Sequence, residues 1–248
     1  MGILQKIVAN TRASLANKKV ELPLEKIQSS LENLKLPRGK FKDHISSKDE
    51  AIIAEIKKAS PSAGVIKEDF DPTKIAMEYE SFGASALSIL TEEDFFMGSV
   101  EYLKEVKKIT SLPILRKDFM IDEYQIYESK LIGADCILLI ASILTDQEIE
   151  DFISTAEKLE LDYLIEVHDE KELNRVEHFE DALIGVNNRN LETFEVDLNN
   201  SVRLRNTFKQ KNIFIAESGI KSREDMNYLK MNNIKVFLIG ESLMRGSF

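Results

Sequence analysis

The sequence Ile53-Ala54-Glu55-Ile56-Lys57-Lys58-Ala59-Ser60-Pro61-Ser62 starts as an apolar β-type run and ends as a loop. Successive side chains of a strand point to opposite faces, so Glu55 and Lys57 share one face. A solvated edge strand would account for these charges if the stretch stood alone. In a closed barrel, the same face would place a carboxylate and an ammonium group at the carboxyl end of the strand, where barrel enzymes have their active sites.

Eight short β-type runs alternate with helical patterns after residue 50, and this alternation predicts a parallel sheet with crossover helices. The runs begin roughly 19 to 34 residues apart, a spacing that leaves room for one helix in each connection. The first run lacks the Gly-x-Gly-x-x-Gly turn of a dinucleotide-binding sheet. The sequence therefore predicts an α/β fold, a (βα)8 TIM barrel, with strands at residues 52–56, 86–90, 114–115, 136–140, 163–167, 182–186, 213–216 and 236–239.

The two ends of the chain depart from the eight repeated units. Helical periodicity between Ile3 and Leu34 predicts that residues 1–49 form a helical N-terminal extension of a single domain, residues 1–248. After Met244 four residues remain, and four residues do not make an outer helix. We therefore expect a shortened C-terminus without the eighth outer helix. Either the chain is truncated there, or the N-terminal helices cover the flank of strands eight and one.

The composition is that of an ordinary globular protein, with 43% hydrophobic and 31% charged residues. A formal net charge of −10 argues against broad binding of nucleic acids, which requires a basic surface. The longest apolar run, residues 134–144, is too short to span a membrane. The single cysteine, Cys136, cannot form an internal disulfide. We expect a cytoplasmic protein without nucleic-acid or membrane partners, in which lysines remain available for a small anionic ligand.

Polar residues follow the later strands as well. The third strand ends in Lys117, the fifth in Glu166 and His168, and the sixth in Asn187-Asn188-Arg189. The segments Glu217-Ser218-Gly219 and Gly240-Glu241-Ser242 follow strands seven and eight, where barrels bind phosphate with loop amides. A glycine after a strand is often only a tight turn. Repeated on successive strands, however, these residues predict a functional site at one rim of the barrel.

Sequence blocks around these residues resemble the indole-3-glycerol-phosphate synthase family, in the family's order. The blocks are residues 53–62, 90–93 with Phe96, 115–119, 165–168, 185–191, 216–220 and 239–244. The resemblance extends from the N-terminal helix to the eighth strand. It implies that 1-(2-carboxyphenylamino)-1-deoxyribulose 5-phosphate is closed to indole-3-glycerol phosphate in tryptophan biosynthesis. Carbon dioxide and water are lost, and the resemblance implies neither a metal nor a cofactor.

The resemblance also implies catalytic roles. Attack of the aryl carbon on the ribulose carbonyl builds negative charge on oxygen, and Lys117 is the candidate acid that meets it. Glu166 occupies the family's position for acid and base work in the dehydration, and Lys57 is a second cationic candidate. The division of labour between the two lysines stays open. Glu55, Asn187 and Glu217 are expected to bind substrate hydroxyls and orient the lysines.

Two anionic groups and one aromatic ring of the substrate need separate partners. Lys57 and the amides of Ser218, Gly219, Gly240 and Glu241 are expected at the phosphate, provided that the Glu241 side chain turns away. Ser60 and Arg189 are expected near the anthranilate carboxylate. An apolar wall for the ring is expected from Phe96, Phe119, Leu138 and Phe194. For His168, which shares a face with Glu166, a structural role is favoured.

Two other functions remain open at this point. A barrel enzyme like phosphoribosylanthranilate isomerase would share the phosphate loops but would not need two lysines and a glutamate. A catalytically inactive phosphate-binding protein would bind the substrate without turnover. In each case the expected partner is a phosphorylated small molecule, and the chain is expected to be a monomer or a weak homodimer.

Overall fold

The computed structural model describes residues 2–34 and 36–248 of the chain. Eight parallel strands close into a barrel in sequence order, which confirms the predicted fold class. The barrel strands are β1 (Ala51–Ile56), β2 (Ala86–Leu90), β3 (Ile114–Lys117), β4 (Cys136–Ile140), β5 (Asp162–Val167), β6 (Leu183–Asn187), β7 (Phe214–Glu217) and β8 (Val236–Ile239). A short antiparallel hairpin, Ala59–Ser60 with Gly64–Val65, follows β1 and was not predicted.

Three helices precede the barrel and the others alternate with its strands. The helices are α1 (Ile3–Glu21), α2 (Leu24–Asn33), α3 (Phe41–Ser46), α4 (Pro72–Phe82), α5 (Val100–Ile109), α6 (Glu123–Ile132), α7 (Asp146–Lys158), α8 (Glu170–Val176), α9 (Asn199–Thr207), α10 (Arg223–Met231) and α11 (Glu241–Met244). Within the described residues, none of them is long and apolar enough to cross a membrane. Several begin at side-chain caps, such as the capping boxes of Thr145 and Ser222.

The alternation of side chains determines what faces the barrel interior. On four strands an apolar residue packs inside the barrel, and an ionisable residue follows two positions later on the same face. These pairs are Ile53 and Glu55, Leu115 and Lys117, Leu164 and Glu166, and Ile215 and Glu217. The apolar layer therefore supports a charged layer at the carboxyl end. A shift of one residue in any strand would turn its charged group towards the outer helices.

Helix α3 closes the amino-terminal end of the barrel. Phe41 and Ile45 are fully buried and pack in one cluster with interior residues such as Ile53 and Leu183. The chain enters this helix through Gly39, where a Cβ atom would collide with the carbonyl oxygen of Asp135. The sequence predicted helix in this region, but it gave no sign that two apolar side chains fill the floor of the barrel.

The N-terminal helices pack mainly elsewhere than on the flank of β8 and β1, where one of the two alternatives placed them. Helix α2 packs on α6, where Ile27 and Tyr124 are buried together. The flank is covered by α11 and the residues after it: Met244 packs with Ala54 of β1, and the Phe248 ring lies 6.2 Å from that of Phe82. The buried apolar residues of α2 and α3 face α6 and the barrel floor, Ile27 the former and Phe41 and Ile45 the latter.

We expect Phe41→Ala to lower the free energy of unfolding by about 3–5 kcal/mol, because it leaves a cavity in a fully buried site. Urea unfolding followed by circular dichroism measures the loss. Phe82→Ala is the matched control, since Phe82 is 46% exposed and should cost much less. Equal losses for the two variants would contradict the role of α3 as the floor of the barrel.

Candidate active site

A cavity of about 700 Å³ opens at the carboxyl ends of the barrel strands. Such a volume is typical of small-molecule sites. Every residue that the sequence predicted for the site lines it: Glu55, Lys57, Ser60, Phe96, Lys117, Phe119, Leu138, Glu166, Asn187, Arg189, Phe194, Glu217, Ser218, Gly219, Gly240 and Glu241. Their roles stay predictions, but the cavity brings them together from six strands and from loops that follow strands. In residues 2–34 and 36–248 no cluster of His, Cys, Asp and Glu could hold a metal ion.

The Lys117 ammonium group lies at the centre of this cavity. Its Nζ atom donates to Glu166 Oε2 at 2.9 Å and to Glu217 Oε2 at 2.5 Å. Burial alone would lower the pKa of Lys117, but the carboxylates of Glu166, Glu217 and Glu55 together outweigh burial and raise it. Lys117 is therefore a protonated donor, as a general acid has to be.

The two carboxylates that share Lys117 differ in their other neighbours. Burial would raise the pKa of Glu166, but Lys117 and His168 lower it to about 2, and Asn187 Nδ2 donates to Glu166 Oε1 at 3.2 Å. Glu166 is therefore ionised, as expected of a base, but in this state it has little tendency to take up a proton.

Glu217 has the opposite balance. Burial raises its pKa to about 7, against the opposing effect of Lys117 and with a further increase from Glu166. Its Oε1 atom is buried and has no hydrogen-bond partner among the described residues. The sequence assigned Glu217 to hydroxyl binding and lysine orientation. Its electrostatics make it in addition the carboxyl group best matched to proton exchange near neutral pH.

A second ion pair joins Lys57 and Glu55, both from the end of β1. The Glu55 carboxylate lies over Gly240, where a Cβ atom would collide with Glu55 Oε1. Gly185 makes the same kind of space for Glu217 Oε1 on β6. These two glycines therefore leave the space that two carboxylates occupy inside the barrel mouth. The sequence predicted Gly240 only as a contributor of backbone amide.

The expected phosphate end lies between the loops after β7 and β8. Ser218 and Gly219 both have left-handed backbone conformations, with φ of 66° and 83°. A Cβ atom at Gly219 would meet the Val196 side chain, so close packing as well as backbone conformation requires glycine there. For Ser218 this conformation is uncommon, and such strain clusters at ligand sites.

Glu241 is engaged by two arginines. Arg245 Nε donates to its carboxylate at 3.1 Å, and Arg189 Nη2 lies 3.8 Å from its other oxygen. Its charge is therefore compensated, although its side chain still lines the cavity. Arg189 also donates to the Phe194 carbonyl at 3.3 Å. In this structure Arg189 accordingly lies beside Glu241, and its expected contact with the anthranilate carboxylate stays a prediction.

The apolar side of the cavity includes the predicted ring wall. The Phe96 and Phe119 rings lie 5.9 Å apart, while Leu138 belongs to the buried interior layer. Helix α1 adds apolar side chains at the mouth that the sequence did not predict for the site, Ile3, Leu4 and Ile7. Their helical spacing was visible, but the path of α1 across the mouth was not.

Comparisons with known proteins identify the family of this chain. The family model described as indole-3-glycerol phosphate synthase matches residues 4–247. The relative of that name from Endomicrobium trichonymphae is 46% identical over 244 residues, covering 98% of this chain and 95% of its own length. The relative of the same name from Polaromonas naphthalenivorans (strain CJ2) is 45% identical over 246 residues, covering 98% and 94%.

The chain belongs to the indole-3-glycerol phosphate synthase family. The fold is also that of more distant barrels. The N-acetylmannosamine-6-phosphate 2-epimerase of Clostridium perfringens aligns with a TM-score of 0.63 and 14% identity, covering 82% of this chain and 92% of that chain. At this identity the likeness concerns the fold alone.

Further cavity residues of this family member were missed by the sequence reasoning. Lys221 and Arg245 add cations at the expected phosphate end. Behind the site, Arg116 is buried on the outer face of β3 and donates to Thr91 Oγ1 at 3.0 Å and to Asp118 at 3.0 Å. The sequence did carry a signal for these contacts. Arg116 lies inside a strand, between Leu115 and Lys117, and an arginine buried there requires hydrogen-bond partners.

In this family member we expect Gly185→Ala to lower kcat on the order of 10²-fold, because its methyl group would displace the Glu217 carboxylate from Lys117. Steady-state kinetics with the family's substrate measures the change. The control is Gly83→Ala, which strains the left-handed end of α4 far from the cavity and should leave kcat unchanged. An unaltered kcat in Gly185→Ala would show that Glu217 does not depend on this space.

Proposed function

We propose that the cavity closes 1-(2-carboxyphenylamino)-1-deoxyribulose 5-phosphate to indole-3-glycerol phosphate, with Lys117 as the acid of the ring-closing step. The supporting observation is the buried Lys117 ammonium group between Glu166 and Glu217. As the aryl carbon attacks the ribulose carbonyl, the oxygen becomes negative, and a positioned ammonium stabilises or protonates it. The carboxyl group leaves as carbon dioxide and the ring regains its aromaticity.

Glu217 is proposed to return a proton to Lys117. It accepts the shorter of the two hydrogen bonds from Lys117 Nζ, and its pKa of about 7 allows both protonation states near neutral pH. After the dehydration step, the neutral Lys117 amine is a stronger base than a carboxylate, so the proton of a protonated Glu217 passes to it. Glu217 then takes up a proton from water at the open mouth of the cavity. Lys117 would then be a cation again for the next turnover.

The dehydration step needs a base and an acid. We assign the base to Glu166, oriented by Asn187, and assistance to the departing hydroxyl group to Lys57. Glu55 holds Lys57 at the rim through their ion pair. The low pKa of Glu166 applies to the site with Lys117 charged. Loss of the Lys117 proton in the first step would make Glu166 more basic for the second.

Substrate binding divides between the two ends of the cavity. We propose that the phosphate contacts Lys57 and the amides of Ser218, Gly219, Gly240 and Glu241. The anthranilate carboxylate would contact Ser60 and Arg189, and its ring Phe96, Phe119, Leu138 and Phe194. The cations that line the cavity support binding of such a dianionic ligand by a chain of net charge −10: Lys57, Lys117, Arg189, Lys221 and Arg245. The cytoplasmic location and the monomeric or weakly dimeric state stay predictions.

The reaction is tested by incubating the chain with the carboxyphenylamino substrate and following indole fluorescence. Phosphoribosylanthranilate, offered in a parallel reaction, separates the isomerase alternative. Indole formation with the first substrate alone supports the proposal. Binding of a reduced substrate analogue without any turnover of the substrate would identify an inactive binding protein instead.

We expect Lys117→Met to lower kcat by about 10²- to 10⁴-fold, since this is the usual contribution of a positioned acid. Circular dichroism should show an intact fold. Lys74→Met is the control, because the Lys74 side chain is 72% exposed and outside the cavity. Lys117→Arg should not restore activity, as a guanidinium group effectively never releases its proton. A Lys117→Met enzyme within threefold of the parent would refute the assignment of the acid.

The raised pKa of Glu217 predicts a pH dependence of stability. Between its ordinary value of 4.5 and about 7, the folded state binds a proton that the unfolded state has lost, so this group destabilises the fold as the pH rises. Glu217→Gln removes this titration. The free energy of unfolding of the variant relative to the parent should therefore increase from pH 4.5 to pH 7.5, as measured by urea unfolding at each pH. A constant difference would mean that Glu217 is ionised throughout this range.

A further inference from the structure

His168 is a buried titratable residue that the proposed mechanism does not use. It follows Glu166 by two positions at the end of β5, so both side chains point to the same side. Its Nε2 atom is buried and makes no hydrogen bond to the residues that the structure describes. Glu166 Oε1 lies 3.4 Å from this atom, just outside a normal hydrogen-bond length. His168 itself does not line the cavity.

The other side of the imidazole ring is held by Glu172. Glu172 Oε2 lies 3.1 Å from His168 Nδ1 and also accepts the His168 backbone N–H at 2.8 Å. Glu172 belongs to the first turn of α8, whose cap, Asp169, accepts the Glu172 N–H. The His168 carbonyl accepts from Asn200 Nδ2 at 2.9 Å. The ring is thus fixed by α8 and its backbone by α9.

The Glu172 carboxylate at Nδ1 favours the protonated form of the His168 ring. Burial would lower the pKa of His168, but Glu172 and Glu166 outweigh burial and raise it. The groups that face the ring are Glu166 of β5, Glu172 of α8 and Glu217 of β7, and Lys117 of β3 lies beyond Glu166. With Nδ1–H donated to Glu172, a protonated ring directs Nε2–H at Glu166.

We propose that His168, held by Glu172, is a positioning residue that keeps the Glu166 carboxylate ionised and aligned with Lys117. The proposal rests on the proposed role of Glu166 and adds two residues outside the cavity to it. Three groups then fix the orientation of the Glu166 carboxylate: Lys117 binds Oε2, and Asn187 and His168 face Oε1.

His168→Asn removes the cation and retains a polar side chain. We expect kcat at neutral pH to fall about tenfold, because the Glu166 carboxylate loses its alignment with Lys117. The acid limb of the pH profile should move up by about one unit, because the cation no longer favours the ionised carboxylate. KM should stay within about twofold, since the ring does not touch the cavity. Glu172→Gln keeps the imidazole in place and should shift the same limb in the same direction.

His178→Asn is the matched control, because His178 is exposed and should leave every parameter unchanged. A packing role alone would lower the melting temperature of His168→Asn but not move its acid limb. That result would overturn the proposal. Should His168→Asn fail to fold, the Glu172→Gln profile decides, and an unshifted acid limb there would overturn the proposal equally.

A second measurement does not depend on catalysis. Carbon-13 NMR of labelled glutamate side chains follows the titration of Glu166 in the free protein, with Glu166→Gln identifying its signal. In His168→Asn this titration should move to higher pH by about one unit. An unshifted titration would overturn the proposal. If the chain formed no indole at all, the proposed function would fail while this titration still tested the positioning role.

Discussion

The hydrogen-bonded contact of one ammonium group with two carboxylates, Lys117 with Glu166 and Glu217, is the constraint on which the site depends. A buried ammonium group is tolerable only while carboxylates compensate it, because the loss of its partners leaves an uncompensated charge in a medium of low dielectric constant. The partners come from β3, β5 and β7, so the closed barrel is what brings them within reach. The apolar layer beneath them excludes water from one side and strengthens each of these contacts.

The two carboxylates perform different tasks because their remaining neighbours differ. Glu166 faces Asn187 and His168 in addition to Lys117, and these donors stabilise its charged form. Glu217 has one oxygen atom directed at Gly185, where no donor is available within the described part of the chain. Pairs of titratable groups whose environments separate their pKa values are the usual basis for a division into acid and base.

Much of the fold and of the cavity lining could be predicted because both follow from local rules. Alternation fixed which side of β1, β3, β5 and β7 faces inwards, and parallel strands collect their end residues at one rim. Three features could not be predicted: the floor formed by α3, the path of α1 and the Arg116 contacts. They join segments far apart in the chain, and the sequence does not show which distant segments meet. The pKa order of Glu166 and Glu217 was equally inaccessible, because it depends on distances of a few ångströms.

Arg116 and Lys117 are neighbours in the chain but lie on opposite faces of β3, which restricts the insertions and deletions that β3 can tolerate. One residue faces the helices and the other the cavity, so deletion of a single codon within β3 before them would turn each to the opposite face. Arg116 would enter the barrel one layer deeper, at the level of Leu115, where a guanidinium group has no charged partner, and Asp118 would take the inward position of Lys117. Such a deletion would replace the ammonium group of the mouth with a carboxylate beside Glu166 and Glu217 and would abolish its chemistry, so only changes that retain the phase of the strand remain open to it.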